Sequence, residues 1–274
     1  MRILLSNDDG VLAEGLHVLR RHLSDIAEVY VVAPDRERSA CGHSITVHRP
    51  LRATPVVLDG TPERIWAVNG TPADCVKLAL EVLLPEPPDL VISGINLGAN
   101  LGTDVLYSGT VSAAMEGAIG GVPALAVSLD SSEPTHLPFA AEITKSLCLQ
   151  LLSRELKPYT LLNVNIPDLP PEEIRGVEVT SLGWRRYEKA VHQRHDPRGR
   201  PYYWIAGEIR DDVSLDGTDV AALAAGKISI TPIHFDLTDY ELLKELKAWQ
   251  IGLLPREAPK PGEIAPGEGA GKKA

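Results

Sequence analysis

The sequence is short of the features that mark membrane proteins and extracellular proteins. No apolar run among its 274 residues approaches the roughly 20 residues that a bilayer-spanning helix needs. Cys41, Cys75 and Cys148 are widely spaced and form no Cys-x-x-Cys pair, which predicts neither a disulfide framework nor a thiolate zinc site. We therefore predict a cytoplasmic protein with no membrane partner.

Positive charge is also scarce. The chain carries 27 Lys and Arg against 37 Asp and Glu, a formal net charge of −10. Such a balance repels a polyanionic partner at long range, so we expect no nucleic-acid polymer among the partners. An anionic small substrate would need local compensation at its own binding site.

Several common catalytic signatures are missing. The first predicted strand is not followed by the Gly-x-Gly-x-x-Gly fingerprint of dinucleotide-binding proteins, and no Walker A loop is present. The Gly-x-Ser-x-Gly nucleophile elbow is absent as well. Asp8 and Asp9 are followed by Gly10, so the Asp-x-Asp pattern of aspartyl-phosphate phosphatases of the haloacid-dehalogenase type is not formed.

The sequence does contain an alternation of short apolar runs and helical patterns, which predicts a Rossmann-like α/β fold over residues 1–176. We expect a mostly parallel sheet with helices on both faces, interrupted by a small antiparallel excursion at residues 44–68. The predicted strands are 2–6, 28–33, 89–93, 124–128 and 161–165, and the predicted helices are 12–24, 72–84, 109–120 and 138–153.

The pattern changes in the C-terminal part. Residues 177–254 are predicted to hold an extended hairpin arm, a returning strand at 227–231 and an amphipathic helix at 238–250. A hairpin has little core of its own, so we expect this arm to pack on another subunit. The tail at residues 255–274, rich in Pro, Gly and Lys, is predicted to be disordered.

Candidate site residues follow the predicted strands. Asp8 and Asp9 come directly after the first, Ser39 lies in the loop after the second, and Asn96 follows a later one. The carboxyl ends of parallel strands share one edge of the sheet, so these side chains can converge. Adjacent aspartates repel each other unless a cation compensates them, yet Asn-Asp-Asp-Gly is also good turn chemistry. Both interpretations remain open on local grounds.

A second candidate element is Ser108-Gly109-Thr110, directly before an apolar helix. Free backbone N–H groups, two hydroxyls and the positive end of a helix dipole together suit a phosphate group. A capping threonine would explain Thr110 equally well.

Taken together, these segments resemble the SurE family of survival proteins. The matching stretches are 3–10, 33–46, 70–75, 93–98 and 107–117, with 217–220 and 229–232 near the C-terminus.

The resemblance implies a metal-dependent 5′-nucleotidase that hydrolyses nucleoside 5′-monophosphates with a metal-activated water, and it leaves action on 3′-nucleotides or short polyphosphate open. One divalent cation per subunit, Mg²⁺ or Mn²⁺, would be held by oxygen ligands, which these hard ions prefer. The implied metal ligands are Asp8, Asp9, Ser39 and Asn96. Asp8 and Asp9 are the implied catalytic residues, and Asn96, Ser108, Gly109 and Thr110 the implied phosphate-binding residues.

The family also implies a homodimer or homotetramer with swapped C-terminal elements. The alternative from another functional class is a non-catalytic, receiver-like module that senses nucleotides through the same acidic pair. A dinucleotide-dependent enzyme is a third interpretation, but it lacks its glycine fingerprint.

Overall fold

The computed structural model describes residues 1–58, 64–154 and 159–249. Contacts divide the chain into two units, Met1–Phe235 and Asp236–Ala274. No helix of the described residues is long and apolar enough to cross a membrane.

The first unit is built on a nine-stranded sheet. Across the sheet, the strands lie in the order β3 (Ala53–Pro55), β4 (Ile65–Val68), β2 (Glu28–Pro34), β1 (Arg2–Ser6), β5 (Leu90–Leu97), β6 (Ala124–Asp130), β7 (Thr160–Pro167), β13 (Ile228–His234) and β8 (Val177–Val179). Neighbours from β4 to β7 all pair in parallel. The β3/β4 and β7/β13 pairs are antiparallel. The predicted mostly parallel α/β fold is confirmed.

Helices cover both faces of this sheet. On one face α1 (Glu14–Leu23) and α4 (Leu137–Leu152) pack against Ile3 and Leu5 of β1. On the other, α2 (Pro72–Leu78) and α3 (Gly109–Ile119) pack against Leu4. Successive side chains of a strand point to opposite faces, so the apolar run of β1 contributes to the hydrophobic clusters on both faces of the sheet.

The predicted strands in the 44–68 region are partly wrong. Residues 44–48 form no strand, because their hydrogen bonds go to the start of α2 instead. The Thr46 N–H donates to Asp74 Oδ1 at 2.9 Å, and the Thr71 hydroxyl donates to the Ser44 carbonyl at 2.7 Å. Strand β4 pairs in parallel with β2, so the excursion is antiparallel only between β3 and β4.

The predicted hairpin arm is present. Strands β9 (Arg185–Glu188) and β12 (Glu208–Asp211) pair with each other, as do β10 (Val191–His195) and β11 (Pro201–Ile205), all antiparallel. Asp196 closes the turn by accepting main-chain N–H groups from Arg198 and Arg200. Strands β8 and β13 both belong to the central sheet, so the sheet extends beyond the predicted core boundary at residue 176. The assignment of 177–254 to oligomerisation stays a prediction.

A short helix, α5 (Asp219–Ala224), precedes β13. The second unit contains helix α6 (Tyr240–Ala248), which Asp239 caps by accepting the N–H groups of Glu241 and Leu242. Residue 250, the predicted end of this helix, and the tail predicted to be disordered at 255–274 lie outside the described residues.

Candidate metal and phosphate site

The turn after β1 is closed by Asn7 and not by the two aspartates that follow it. The Asn7 side-chain amide donates to the Gly10 carbonyl at 3.0 Å, and its oxygen accepts the Gly10 N–H at 3.2 Å. Gly10 has a φ of +107°, and a Cβ there would lie 3.2 Å from the Arg36 main-chain carbon. Because the Asn7 side chain makes the hydrogen bonds that close the turn, the carboxylates of Asp8 and Asp9 are not needed to close it and can bind a ligand.

Asp8 lies directly against the start of α3. The Thr110 hydroxyl donates to Asp8 Oδ1 at 2.5 Å, and a Cβ at Gly109 would lie 2.7 Å from the Asp8 Cβ. Ser108 caps the helix, because its Oγ accepts the Val111 N–H at 3.0 Å. Thr110 is therefore not the cap, and its hydroxyl is used to orient the carboxylate.

The two aspartates form a buried concentration of negative charge. Burial raises the pKa of Asp8, although the Thr110 hydroxyl opposes this shift. Burial and the neighbouring charges of Asp8 and Glu37 raise the pKa of Asp9 to about 7. Neither aspartate forms an ion pair with any residue that the structure describes. A cation bound beside the pair would relieve this repulsion.

Ser39 and Asn96 lie at the same cleft as the aspartates. The Ser39 hydroxyl donates to Glu37 at 2.7 Å, and the Asn96 amide nitrogen donates to the Gly98 carbonyl at 2.7 Å. The hydroxyl oxygen of Ser39 and the carbonyl oxygen of Asn96 keep lone pairs for a ligand. The Leu97 main chain favours the charged form of Asp9 and so opposes the rise of its pKa, and Leu97 lines the same cleft.

The donor set fits a hard divalent cation. No group of three or more His, Cys, Asp or Glu side chains suited to a metal occurs in the described part of the chain. The candidate site instead combines the two carboxylates with the neutral oxygens of Ser39 and Asn96. Oxygen-only ligands with a net charge of −2 suit Mg²⁺ or Mn²⁺.

The cleft has a volume of about 790 Å³, and the sheet and the arm both contribute to its wall. Ser108 lies in the wall. Gly109 and Thr110 are buried and lie against Asp8.

Sequence reasoning missed other residues of the wall, including Glu37, Asp104, Tyr107 and Tyr187. Glu37 lies two residues before Ser39 and Tyr107 directly before Ser108, and that closeness in sequence was the available signal. No local signal indicates Tyr187, whose hydroxyl donates to the Asp104 carboxylate from 83 residues away.

Comparisons with known proteins agree on one family. Residues 3–189 match the family model described as "Survival protein SurE". The chain is 59% identical to the 5′-nucleotidase SurE of Heliobacterium modesticaldum over 92% of this chain and 93% of that protein. It is 56% identical to the 5′-nucleotidase SurE of Moorella thermoacetica, with 93% and 98% covered.

A solved structure shows the same architecture. The crystal structure of the SurE protein from Aquifex aeolicus matches with a TM-score of 0.79 and 43% sequence identity. The match covers 90% of this chain and 99% of that one.

Proposed function

The chain belongs to the SurE family, and from that premise we propose that it is a 5′-nucleotidase that hydrolyses nucleoside monophosphates to nucleoside and phosphate. The observation that carries the proposal is the contact between the Asp8 carboxylate and the start of α3. It brings an acidic pair and a helix N-terminus to one cleft, so a cation and a phosphate group would be neighbours there.

We assign Asp8, Asp9, Ser39 and Asn96 as the residues that hold one Mg²⁺ or Mn²⁺ per subunit. When bound, the ion supplies positive charge for the phosphate oxygens and acidifies a water molecule for attack on phosphorus. Thr110 restricts the rotation of the Asp8 carboxylate by bonding one of its oxygens. The Asp8 carboxylate therefore has a fixed donor that orients it before substrate arrives.

The phosphate group would lie at the N-terminus of α3. The first N–H groups of a helix have no intrahelical partner and carry partial positive charge, and α3 presents this end beside Asp8. Ser108, at the wall of the cleft, adds a hydroxyl. These donors stabilise the negative charge that develops on the phosphoryl oxygens, and we assign acceptance of the water's proton to the carboxylate pair.

The test is release of phosphate from a panel of nucleoside 5′-monophosphates with Mg²⁺ or Mn²⁺. We expect turnover that chelation abolishes and that Asp8→Asn lowers by orders of magnitude. The control is Asp25→Asn, a surface carboxylate paired with Lys145 at 2.6 Å, which we expect to keep full activity. Activity in metal-free buffer would refute the metal assignment, and stoichiometric binding without turnover would favour the sensing module. Adding 3′-nucleotides and short polyphosphate to the panel tests the further substrates.

We also propose that the arm packs against a second copy in a homodimer or homotetramer. Its strands leave large apolar side chains exposed, among them Tyr203, Trp204 and Ile205. We expect light scattering to give the mass of two or four copies, and Trp204→Arg to reduce it. Val82→Arg is the control, because Val82 is similarly exposed, 68% against 63%, but lies outside the arm. A monomeric parent protein would refute the proposal.

A cytoplasmic location stays a prediction. It is based on Cys41, Cys75 and Cys148, which are free thiols in the structure. Fractionation of the producing cells would test it.

A further inference from the structure

Two asparagines are buried in the middle of β7. Asn163 and Asn165 are both 0% exposed, on the face of the sheet that α3 covers. The neighbouring positions of the same strand, Leu162 and Val164, pack on the opposite face with α1 and α4. Interior strands of a parallel sheet are ordinarily aliphatic on both faces, so the two amides stand out against this pattern.

Both amides bind the main chain of a single loop residue, Asn100. The Asn165 oxygen accepts the Asn100 N–H at 2.8 Å, and its nitrogen donates to the Asn100 carbonyl at 3.0 Å. The Asn163 nitrogen donates to the same carbonyl at 2.8 Å. The Asn100 side chain in turn donates to Ser128 Oγ on β6 at 2.8 Å. Both polar groups of the Asn100 main chain are therefore held by side chains of β7.

Asn100 ends the segment that carries part of the candidate metal site. Asn96 and Leu97, which line the same cleft as Asp8 and Asp9, lie only a few residues before it. Between them, the Gly98 N–H donates to the Leu129 carbonyl of β6 at 2.8 Å. Successive anchors on β6 and β7 thus hold residues 96–100 across the mouth of the cleft.

A purely stabilising role does not explain the amides well. Burying an amide costs free energy unless hydrogen bonds compensate it, and Asn163 Oδ1 has no hydrogen-bond partner within the described ranges. Aliphatic residues of similar volume at both positions would avoid that cost. What the amides add is a fixed position for the Asn100 main chain.

We propose that Asn163 and Asn165 are positioning residues for the metal site, because they fix the loop that carries Asn96 at the cleft shared with the acidic pair. The inference rests on the proposed function, since it concerns the same site. Groups that orient metal ligands without touching the metal commonly change affinity by about 10- to 100-fold when removed.

The test is Mn²⁺ titration by calorimetry together with amide hydrogen exchange of the metal-free protein. Asn165→Leu removes two bonds to Asn100, and Asn163→Ala removes one. We expect Mn²⁺ affinity to fall about 10- to 100-fold in Asn165→Leu and by a smaller factor in Asn163→Ala. Exchange of residues 96–102 should become faster in the same order. Asn163→Ala keeps the test decisive if Asn165→Leu does not fold.

The matched control is Thr231→Val. Thr231 lies beside Asn163 across the β7/β13 pair, is also buried, and bonds the Thr180 hydroxyl at 2.7 Å. We expect this variant to lose stability while its Mn²⁺ affinity and the exchange of residues 96–102 stay unchanged.

Folded Asn163→Ala with the parent protein's Mn²⁺ affinity and exchange would overturn the inference. So would a loss of affinity in Thr231→Val equal to that in the asparagine variants. A parent protein that neither binds Mn²⁺ nor releases phosphate would overturn the proposed function and, with it, this inference.

Discussion

Gly109→Ala should separate activity from stability at the candidate site. In an ordinary helix, alanine in place of glycine stabilises by about 0.5–1 kcal/mol because the unfolded chain loses freedom. At Gly109 the added methyl would lie 2.7 Å from the Asp8 Cβ and 2.8 Å from Asp8 Oδ2. Favourable contact between carbon atoms begins at about 3.5 Å, so Asp8 or the start of α3 has to move by about 0.8 Å.

That displacement would move the Asp8 carboxylate, which we assign as a ligand of the cation. Overpacking costs about 1–3 kcal/mol, of which the helix-propensity gain offsets a part, so the fold should persist. Misplacement of a catalytic group by about 1 Å can cost about 10²-fold in rate. We therefore expect Gly109→Ala to fold and to lose about 100-fold in kcat for a nucleoside monophosphate.

Gly117→Ala is the matched control, because it makes the same substitution in the same helix. A Cβ there would lie 2.8 Å from the Val91 Cβ on β5, so it also overpacks, but against the core. We expect its melting temperature to fall by roughly 2–4 °C for each kcal/mol lost, with kcat preserved. Melting curves measure the stability of both variants, and phosphate-release kinetics measure their kcat. A folded Gly109→Ala enzyme with the parent's kcat would refute the reasoning.

Three further changes have definite expected outcomes. Thr110→Val should keep the fold but lower kcat about 10- to 100-fold, because the hydroxyl that orients Asp8 is lost, whereas Thr110→Ser should restore turnover. Asp219→Ala strips the acceptor from three main-chain N–H groups and should lower the unfolding free energy by at least about 2 kcal/mol in urea; an unchanged midpoint would contradict this. The His43 side chain lowers the pKa of Glu116 below its usual 4.5. Glu116 therefore contributes stability above pH 4.5 that is lost as the pH falls through its lower folded-state pKa, so Glu116→Gln should flatten the acid limb of a stability–pH curve.

The sheet and the convergence of its loops could be predicted from the sequence. Short apolar runs alternating with helical patterns define a parallel sheet, and the carboxyl ends of its strands meet at one edge. Asp8, Asp9, Ser39 and Asn96 therefore reach one cleft, although up to 88 residues separate them. The same reasoning wrongly predicts a strand at 44–48. The alternating pattern there is typical of a strand, but the hydrogen bonds of this loop go to the start of α2.

The partners of individual polar side chains could not be predicted. The aliphatic residues around Asn163 and Asn165 predict a strand there. The sequence does not show that both side chains bind Asn100, more than 60 residues away. Tyr187 meets Asp104 from the arm in the same way. Such contacts depend on how loops fold back onto the sheet, and no local pattern encodes that path.

The distribution of polar groups within the core explains how the fold accommodates a charged site. The face that packs against α1 and α4 is lined by aliphatic side chains. The buried polar residues of the central strands all lie on the opposite face: Ser6, Ser93, Ser128, Asn163 and Asn165. The larger of the two buried apolar clusters on the sheet therefore lies on the side away from α3. The face that α3 covers has polar side chains at positions where the other face has aliphatic ones. The N-terminus of this same helix contacts Asp8.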